Sequence, residues 1–343
     1  MNKIIYKVFL AVFPLIILTI LYFVNDPFKV LYHYDCYFPR DGIQYVVPNN
    51  DFTATQTLLN NYKSYNYDSY IFGSSKGLLF HVQEWKKHIP NGKHFQFSVS
   101  KENLWGIERK LNLIDSLGLK INNVLLVLDY DVYGIAKEDI RFAKHPVLTG
   151  RSYFQFELNT FKGFFESTFL LKYLKLLIFR KAEKTIWASE LNCNRQVYDP
   201  VTNDVEFPDI EKDIDRDTST YYRMRASIFG ERPLTQHYTK QVIETDQQVL
   251  LMKIKNIFNK HKTNYKLVIC PLYDQLKIDT NDYKMLCAIF DSQNIYDYSG
   301  INHFTNDKHN YYESTHFRKF VATKIMDSIY VDEKSALSPA KIE

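Results

Sequence analysis

Short apolar runs alternate along this chain with longer segments in which apolar residues recur at helical spacing. Five runs have the length and composition of buried strands: 69–72, 94–97, 123–129, 265–270 and 294–298. The helical segments are 78–88, 104–117, 241–261, 282–290 and 317–330. Continuous apolar strands separated by helices are typical of a parallel sheet that is covered by helices on both faces. The pattern therefore predicts a doubly wound α/β domain with a five-stranded parallel sheet.

The alternation stops over residues 132–237, where the sequence is rich in aromatic residues and irregular in pattern. We predict that this stretch is an insertion or cap over the carboxyl edge of the sheet, where folds of this kind bind ligands. The α/β domain then extends over residues 26–330. The polar tail, residues 331–343, is predicted to be disordered.

The N-terminal region has a different character, because residues 8–25 are apolar and carry no charge. Lys3 and Lys7 precede this stretch and Asp26 follows it. At about 1.5 Å per residue, the stretch and the three residues before Lys7 just reach across a ~30 Å hydrocarbon core. We predict one membrane anchor over residues 1–25, with the lysines in the cytoplasm and the body on the extracytoplasmic (periplasmic) side. A cleaved signal peptide is the alternative, but the stretch ends without a small-x-small cleavage pattern.

Charge and known motifs narrow the functional classes. The chain has 343 residues, and 43 Lys and Arg against 39 Asp and Glu give a net charge of +4. This balance is too weak and too even for a nucleic-acid partner. The sequence has no HExxH, no P-loop, no Rossmann glycine series and no Cys or His cluster with metal spacing, so we predict neither a metal nor a cofactor.

The chain has four cysteines, and none of them shows metal-binding spacing. Cys270 and Cys287 are interpreted as small core residues. Cys36 and Cys193 lie in polar, loop-like sequence and could pair outside the cytoplasm. The sequence leaves that pairing open.

Residues 70–77 run from an apolar strand through a Gly-Ser-Ser turn into a helix. A hydroxyl on such a turn lies at the carboxyl edge of the sheet, where a helix N-terminus favours an oxyanion. The motif also fits G-x-S-x-G, the nucleophile elbow of the α/β-hydrolase fold, but too few residues precede Ser69 for the strands that come before that elbow. The alternative is that Ser74 or Ser75 only caps the next helix.

A second candidate lies near the other end of the chain, where Glu313 stands three residues before His316. A carboxylate at that spacing can lie on the same side of a turn as the imidazole and orient it as a general base. The alternative is a helix start, with Ser314 or Thr315 as the cap and Glu313 in solvent.

Taken together, these two ends resemble the SGNH (GDSL-like) hydrolase superfamily, whose first block is Gly-Asp-Ser and whose last block is Asp-x-x-His. The resemblance covers residues 69–129 and 265–330. It implies a flavodoxin-like, three-layer α/β fold, with Ser75 as nucleophile, His316 as base and Glu313 as acid. The anchor, the Gly-Ser-Ser turn and the Tyr-Tyr-Glu-x-x-His ending are similar to bacterial cell-envelope members that add or remove acyl groups on polysaccharides.

The sequence departs from this family at the oxyanion hole. The family uses a Gly after the second strand and an Asn in a Gly-x-Asn block after the third, and neither is present in this chain. The remaining candidate donors are the Ser75 N–H, the backbone near Ser100 and the side-chain amide of Asn103. Ser74, which stands where the family has Asp, and the strand-end carboxylates Asp129 and Asp131 are further candidates to line the site.

The resemblance implies acyl transfer through an acyl-Ser75 intermediate, with His316 moving protons and either water or a sugar hydroxyl as acceptor. We therefore predict a membrane-anchored serine esterase or O-acyltransferase that acts on acylated cell-envelope polysaccharide. The missing oxyanion Asn favours an alternative, a non-catalytic SGNH-like module that binds polysaccharide or an export partner. A third possibility is an anchored scaffold in which the Ser-Ser turn and His316 are purely structural.

Overall fold

The computed structural model describes residues 2–38, 46, 48–139, 143–179 and 196–330. Cys193 lies outside the described residues, so its pairing with Cys36 stays open. The predicted disorder of residues 331–343 also falls outside this part of the chain and stays a prediction.

Short strands and helices make up most of this part of the chain. The strands are β1 (Ser69–Phe72), β2 (His94–Gln96), β3 (Asn123–Leu128), β4 (Val197–Tyr198), β5 (Val205–Glu206), β6 (His237–Tyr238), β7 (Asn264–Ile269), β8 (Leu276–Lys277), β9 (Ile295–Asp297), β10 (Tyr311–Glu313) and β11 (His316–Phe317). The α-helices are α1 (Asn2–Asn25), α2 (Asn50–Tyr65), α3 (Val82–Trp85), α4 (Leu104–Ser116), α5 (Tyr130–Gly134), α6 (Pro146–Thr149), α7 (Tyr153–Phe164), α8 (Ser167–Phe179), α9 (Pro208–Arg216), α10 (Thr218–Met224), α11 (Thr245–His261), α12 (Thr280–Ile289) and α13 (Lys319–Ile329). Single 3₁₀ turns form at Gly77–Leu79, Ser292–Asn294 and Lys308–Asn310.

The prediction of an α/β domain with a five-stranded parallel sheet is confirmed. The strands lie in the order β2-β1-β3-β7-β9, and every neighbouring pair is parallel. Each predicted strand is present with small shifts at its ends. The third strand, for example, ends at Leu128 because the Asp129 side chain accepts hydrogen bonds from the first N–H groups of α5.

Apolar side chains from both faces of the sheet are buried, because successive residues of a strand point in opposite directions. Tyr70, Leu126 and Leu267 belong to a cluster with α2, α4, α11 and α12. Ile71 and Val127 belong to a second cluster with α3, α9, α10 and α13. This burial explains why the strands are apolar throughout their length.

The predicted helix over 78–88 is wrong, because the structure has a 3₁₀ turn and the short helix α3 in its place. Phe80 and His81, which separate the 3₁₀ turn from α3, have an extended backbone. Gln96 of β2 donates hydrogen bonds to the carbonyls of Gly77 and Phe80 at 3.1 and 2.9 Å. A side chain from the neighbouring strand therefore satisfies carbonyls that a continuous helix would have bonded internally.

Two other segments bear on the sequence analysis. The helix α2 was not predicted, because its sequence is polar and rich in Thr and Asn, although Asn49 caps its start. Residues 132–237 contribute no strand to the main sheet in the part that the structure describes, and they form α6 to α10 and the β4–β5 hairpin. Their role as an insertion or cap stays a prediction.

Helix α1 is long and apolar enough to span a membrane over Ile5–Asn25. Only 6% of its apolar window is buried against the rest of the chain. By length and composition, this helix agrees with the predicted anchor.

Candidate active site

The turn after β1 is shaped by glycine. A Cβ on Gly73 would lie 2.9 Å from the carbonyl oxygen of Val127 in the adjacent strand β3. A side chain there would collide with backbone, so the turn can pass this close to β3 only with glycine. As a result, Ser74 and Ser75 leave the sheet at the carboxyl edge of its central strands.

Ser75, His316 and Glu313 form a continuous chain of hydrogen bonds. The Oγ atom of Ser75 lies 2.8 Å from Nε2 of His316. On the other side of the ring, Nδ1 of His316 contacts Oε1 of Glu313 in a short hydrogen bond. The expected contact of Ser75 with the His316 ring is therefore present, and so is a carboxylate on the second ring nitrogen.

A β-hairpin, and not a helix start, presents His316 and Glu313. Strands β10 and β11 pair antiparallel, and Glu313 lies opposite His316 across the turn at Ser314 and Thr315. The Tyr311 hydroxyl donates to the Pro271 carbonyl at 3.0 Å, which ties this hairpin to the end of β7. The hairpin thus brings an acid and a base from the end of the chain to the turn after β1.

Glu313 is buried, with 2% of its surface exposed. Burial by itself would raise the pKa of its carboxyl group, but the hydrogen bond and charge of His316 lower it. The Thr315 N–H at 2.8 Å and the Thr315 hydroxyl at 2.9 Å act in the same direction. The net result is a pKa below the ordinary value, so Glu313 is a carboxylate at neutral pH and accepts hydrogen bonds from its neighbours.

The other serine of the turn has different partners. Ser74 Oγ donates to Oδ2 of Asp129 at 2.5 Å, and Lys76 Nζ lies 3.4 Å from the same oxygen. Burial would lower the pKa of Lys76, but Asp129 and nearby acidic groups raise it. Ser74, Lys76 and Asp129 therefore form a charged cluster between β1 and β3, beside the chain of Ser75 and His316.

The remaining sequence candidates make their polar contacts elsewhere. Asn103 caps α4 by accepting from the Gly106 N–H at 3.0 Å, and its amide donates to the Lys137 carbonyl at 3.2 Å. Ser100 is exposed, and its hydroxyl accepts from the Asn50 amide at 3.1 Å. These contacts do not bring either side chain to Ser75 or His316. Their predicted role as oxyanion donors stays a prediction.

A cavity of about 490 Å³ lies beside the hairpin that carries His316. Its polar lining includes Lys76, Asp129, Asp131, Asp274 and Thr315. Asp131 therefore lies at the predicted edge of the sheet and is exposed. The cavity reaches Lys76 and Thr315, the sequence neighbours of Ser75 and His316, but Ser75 and His316 themselves are not part of its lining.

The sequence analysis missed three polar residues of this region. Lys76 directly follows Ser75 and Thr315 directly precedes His316, so their places next to the two motifs were the available signal. Asp274 had no such signal, because it follows β7 and reaches the cavity only through the fold. Burial raises the pKa of the Asp274 carboxyl group.

Within the described residues, no three His, Cys, Asp or Glu side chains come together in a way that could hold a metal ion. The chemistry available from the residues at this site is that of a hydroxyl, an imidazole and a carboxylate in line. An imidazole whose Nδ1–H is held by a carboxylate can accept the proton of a hydroxyl through Nε2. The arrangement can therefore turn Ser75 into a nucleophile.

Comparison with protein-family models finds no match for this chain, and neither does comparison with curated proteins. The resemblance to SGNH hydrolases therefore rests on the two sequence motifs alone.

Proposed function

We propose that this chain is a membrane-anchored, SGNH-like serine esterase or O-acyltransferase that acts on acylated cell-envelope polysaccharide. The observation that carries the proposal is the chain of hydrogen bonds from Ser75 through His316 to Glu313. Ser75 and His316 are 241 residues apart in the sequence, so the fold and not local sequence brings them together. Nucleophile, base and orienting acid in contact are the parts that serine-dependent acyl transfer needs.

The order of the strands supports the proposal. Numbered among themselves along the chain, the five strands of the main sheet lie in the order 2-1-3-4-5. This is the order of doubly wound, flavodoxin-like sheets, in which ligands bind at the carboxyl ends of the strands next to the first strand. Ser75 follows the first strand, which is where the three-layer SGNH arrangement would require the nucleophile.

The proposed reaction has two steps. First, Ser75 Oγ attacks the ester carbonyl of the substrate while His316 takes the hydroxyl proton. The C–O bond of the ester then breaks, and His316 returns the proton to the departing sugar oxygen. In the second step, water or a sugar hydroxyl gives its proton to His316 and attacks the acyl-Ser75 carbonyl. The bond between the acyl carbon and Ser75 Oγ then breaks, and His316 returns the proton to Ser75 Oγ. Glu313 orients the imidazole and stabilises its charged form throughout.

The oxyanion of each tetrahedral intermediate needs donors, and the backbone N–H of Ser75 is the first candidate. Of the three candidate donors, which also include the backbone near Ser100, Asn103 is the weakest, because one N–H of its amide already donates to the Lys137 carbonyl. Loss of one oxyanion donor costs about 10² to 10³ in turnover. We therefore expect a slow enzyme.

The proposed compartment rests on the anchor and its flanking lysines. Lys3 and Lys7 at the N-terminal end of α1 favour a body on the extracytoplasmic side, where envelope polysaccharide is available. Protease added to intact spheroplasts should digest the body after Asn25. Full protection of the body under these conditions would contradict the proposed orientation.

Hydrolysis and transfer are tested on the full chain in lipid nanodiscs. We expect acetate release from an O-acetylated polysaccharide, and transfer to a free oligosaccharide if a sugar hydroxyl is the acceptor. Ser75→Ala should abolish both reactions, whereas Ser328→Ala, an exposed serine on α13, should leave them unchanged. Turnover that survives Ser75→Ala would reject Ser75 as the nucleophile.

One observation favours the alternative, a non-catalytic module that binds polysaccharide or an export partner. Asn103 caps α4 through its side-chain oxygen, and one N–H of its amide donates to the Lys137 carbonyl, so only its second N–H remains for an oxyanion. A chain without turnover that still binds acylated polysaccharide would support this alternative. Loss of that binding on substitution of Ser75 would place the ligand at the same site.

A further inference from the structure

The helices α7 and α8 pack against the end of the anchor helix and contribute no side chain to the two clusters on the sheet. The buried members of their cluster are Tyr22, Phe164, Phe169 and Tyr173. The ring of Tyr22 in α1 lies 5.2 Å from Phe164, and Phe28, just after α1, lies 4.7 Å from Phe169. The inner face of this helix pair is therefore fixed to the residues at which the candidate membrane span ends.

The outer face of α8 is apolar and exposed. Leu171 is 68% exposed and Ile178 is 71% exposed, and they lie about two helical turns apart on one face. Lys175 lies between them on this face, Lys172 lies beside it, and α8 contains no acidic residue. Apolar side chains flanked by lysines are typical of helices that lie in a membrane interface, where the charged ends reach the headgroups.

The position of α7 and α8 relative to the candidate span gives the depth at which this helix pair lies in the bilayer. The candidate span ends at Asn25, and both Tyr22 and Phe28 are three residues from that end. A helix is about 10 Å across, and the headgroup region adds roughly 5 to 7 Å on each side of the hydrocarbon core. The helix pair contacts Tyr22 through Phe164 of α7 and Phe28 through Phe169 of α8, so it lies at the level where hydrocarbon meets headgroups.

We propose that α8, held on the anchor by α7, is an interfacial helix that inserts Leu171 and Ile178 into the bilayer next to the end of α1. Lys172, which is exposed beside this face, contacts the phosphate groups of the lipids. The bilayer is the partner that fits best, because the exposed apolar face is continuous with a helix that is itself long and apolar enough to span a membrane. This inference rests on the anchor and does not depend on the reaction proposed for Ser75.

The test measures the depth of single added tryptophans in the full chain, reconstituted in phosphatidylcholine vesicles. Leu171→Trp and Ile178→Trp place the probe on the outer face of α8. Leu234→Trp is the matched control, because Leu234 is also an exposed leucine, at 99%, and lies outside α7 and α8. Emission of the unsubstituted chain is subtracted to remove its three native tryptophans.

Lipids brominated on the acyl chains quench only probes that enter the hydrocarbon. We expect most of the added emission of Leu171→Trp and Ile178→Trp to be lost in these vesicles, while that of Leu234→Trp is retained. Two variants that behave like Leu234→Trp would overturn the proposal. A blue shift in emission without quenching by bromine would also overturn it, since it would mean that a protein surface, a second copy included, covers this face.

Discussion

Two groups of hydrogen-bonded polar side chains in this molecule differ in composition and in exposure to solvent. The first is the chain Ser75, His316 and Glu313 at the carboxyl edge of the sheet. The second is a cluster of two carboxylates and two ammonium groups: Asp51, Glu102, Lys110 and Lys144. Both are held by long-range contacts, but only the first contains a nucleophile and a base.

The four charged side chains of the second group are buried and paired with one another. Lys144 lies 2.7 Å from Glu102 and 2.9 Å from Asp51. Lys110 contacts the same two carboxylates, lying 3.3 Å from Asp51 and in a short contact with Glu102. All four side chains are buried, and the two positive charges balance the two negative ones. The cluster joins α2, α4 and the segment before α6, which is a structural role.

The hydrogen-bonded group of Ser75, His316 and Glu313, at the strand ends, is partly accessible to solvent. Its carboxylate is buried, but His316 and Ser75 are only partly covered, and the cavity lies beside them. Burial of charge alone therefore does not identify a functional site in this molecule. What distinguishes the candidate site is a line of hydrogen bonds that ends on a partly exposed hydroxyl.

The largest expected effect separates the two groups by function. His316→Gln should lower the turnover of acylated polysaccharide by about 10² to 10⁴, because general acid–base transfer is lost. Its thermal unfolding midpoint should fall only modestly, because Gln can still donate a hydrogen bond to the buried Glu313 although the charge of His316 is lost. His33→Gln, an exposed histidine just after the anchor, is the control and should keep full turnover. Equal turnover in His316→Gln and His33→Gln would contradict a catalytic role for His316.

The complementary change acts on the second group. Lys110→Met should lower the free energy of unfolding by about 3 to 5 kcal/mol, because it leaves an uncompensated buried carboxylate. Urea unfolding of the full chain in nanodiscs measures this. Adding Glu102→Gln should restore part of the stability, since Lys144 and Asp51 then remain as a balanced pair. A double variant less stable than Lys110→Met would show that the charges are not the cause.

A smaller effect is expected at Ser74, the serine of the turn that does not contact His316. Ser74→Ala removes the hydrogen bond to the buried Asp129 and should cost about 1 to 3 kcal/mol of stability. Asp129 keeps the nearby ammonium group of Lys76, which limits the loss. The variant should keep its reaction with serine-directed reagents when it is measured below its unfolding range. Complete loss of that reaction in a folded Ser74→Ala protein would move the nucleophile to Ser74.

The smallest effect is a dependence on pH. The pKa of Glu313 is lowered in the folded state from an ordinary value of 4.5, so its carboxylate stabilises the fold fully above that pH. This contribution is lost as the pH falls through the lower, folded-state pKa. The difference in unfolding midpoint between the unsubstituted chain and Glu313→Gln should therefore shrink between neutral and acidic pH. A difference that grows on acidification would have the wrong sign.

Much of this fold follows from the sequence, because continuous apolar strands and amphipathic helices are local patterns. Strand β1 and helix α4 were predicted almost residue by residue. The break at Phe80 was not, since it depends on Gln96 of another strand bonding the carbonyls of the turn. Likewise the contact between Ser75 and His316 was expected only through the pairing of two motifs that resemble one family.

Long-range polar contacts were the main omission. Lys144 and Asp51 are 93 residues apart, and no periodicity or motif joins them. The packing of α8 on the anchor was missed for the same reason, because the sequence shows an apolar helix but not its partner. In both cases the tertiary fold, and not the local pattern, determines which residues meet.

The most direct test of the central claim is the site of reaction with a fluorophosphonate, which forms a covalent bond with an activated serine. The full chain in nanodiscs is treated with the reagent, digested, and mapped by peptide mass spectrometry. We expect a single adduct on Ser75 that is absent from Ser75→Ala and strongly reduced in His316→Gln. An adduct on another serine, or none on a folded chain, would contradict the claim that Ser75, His316 and Glu313 act together as a catalytic site.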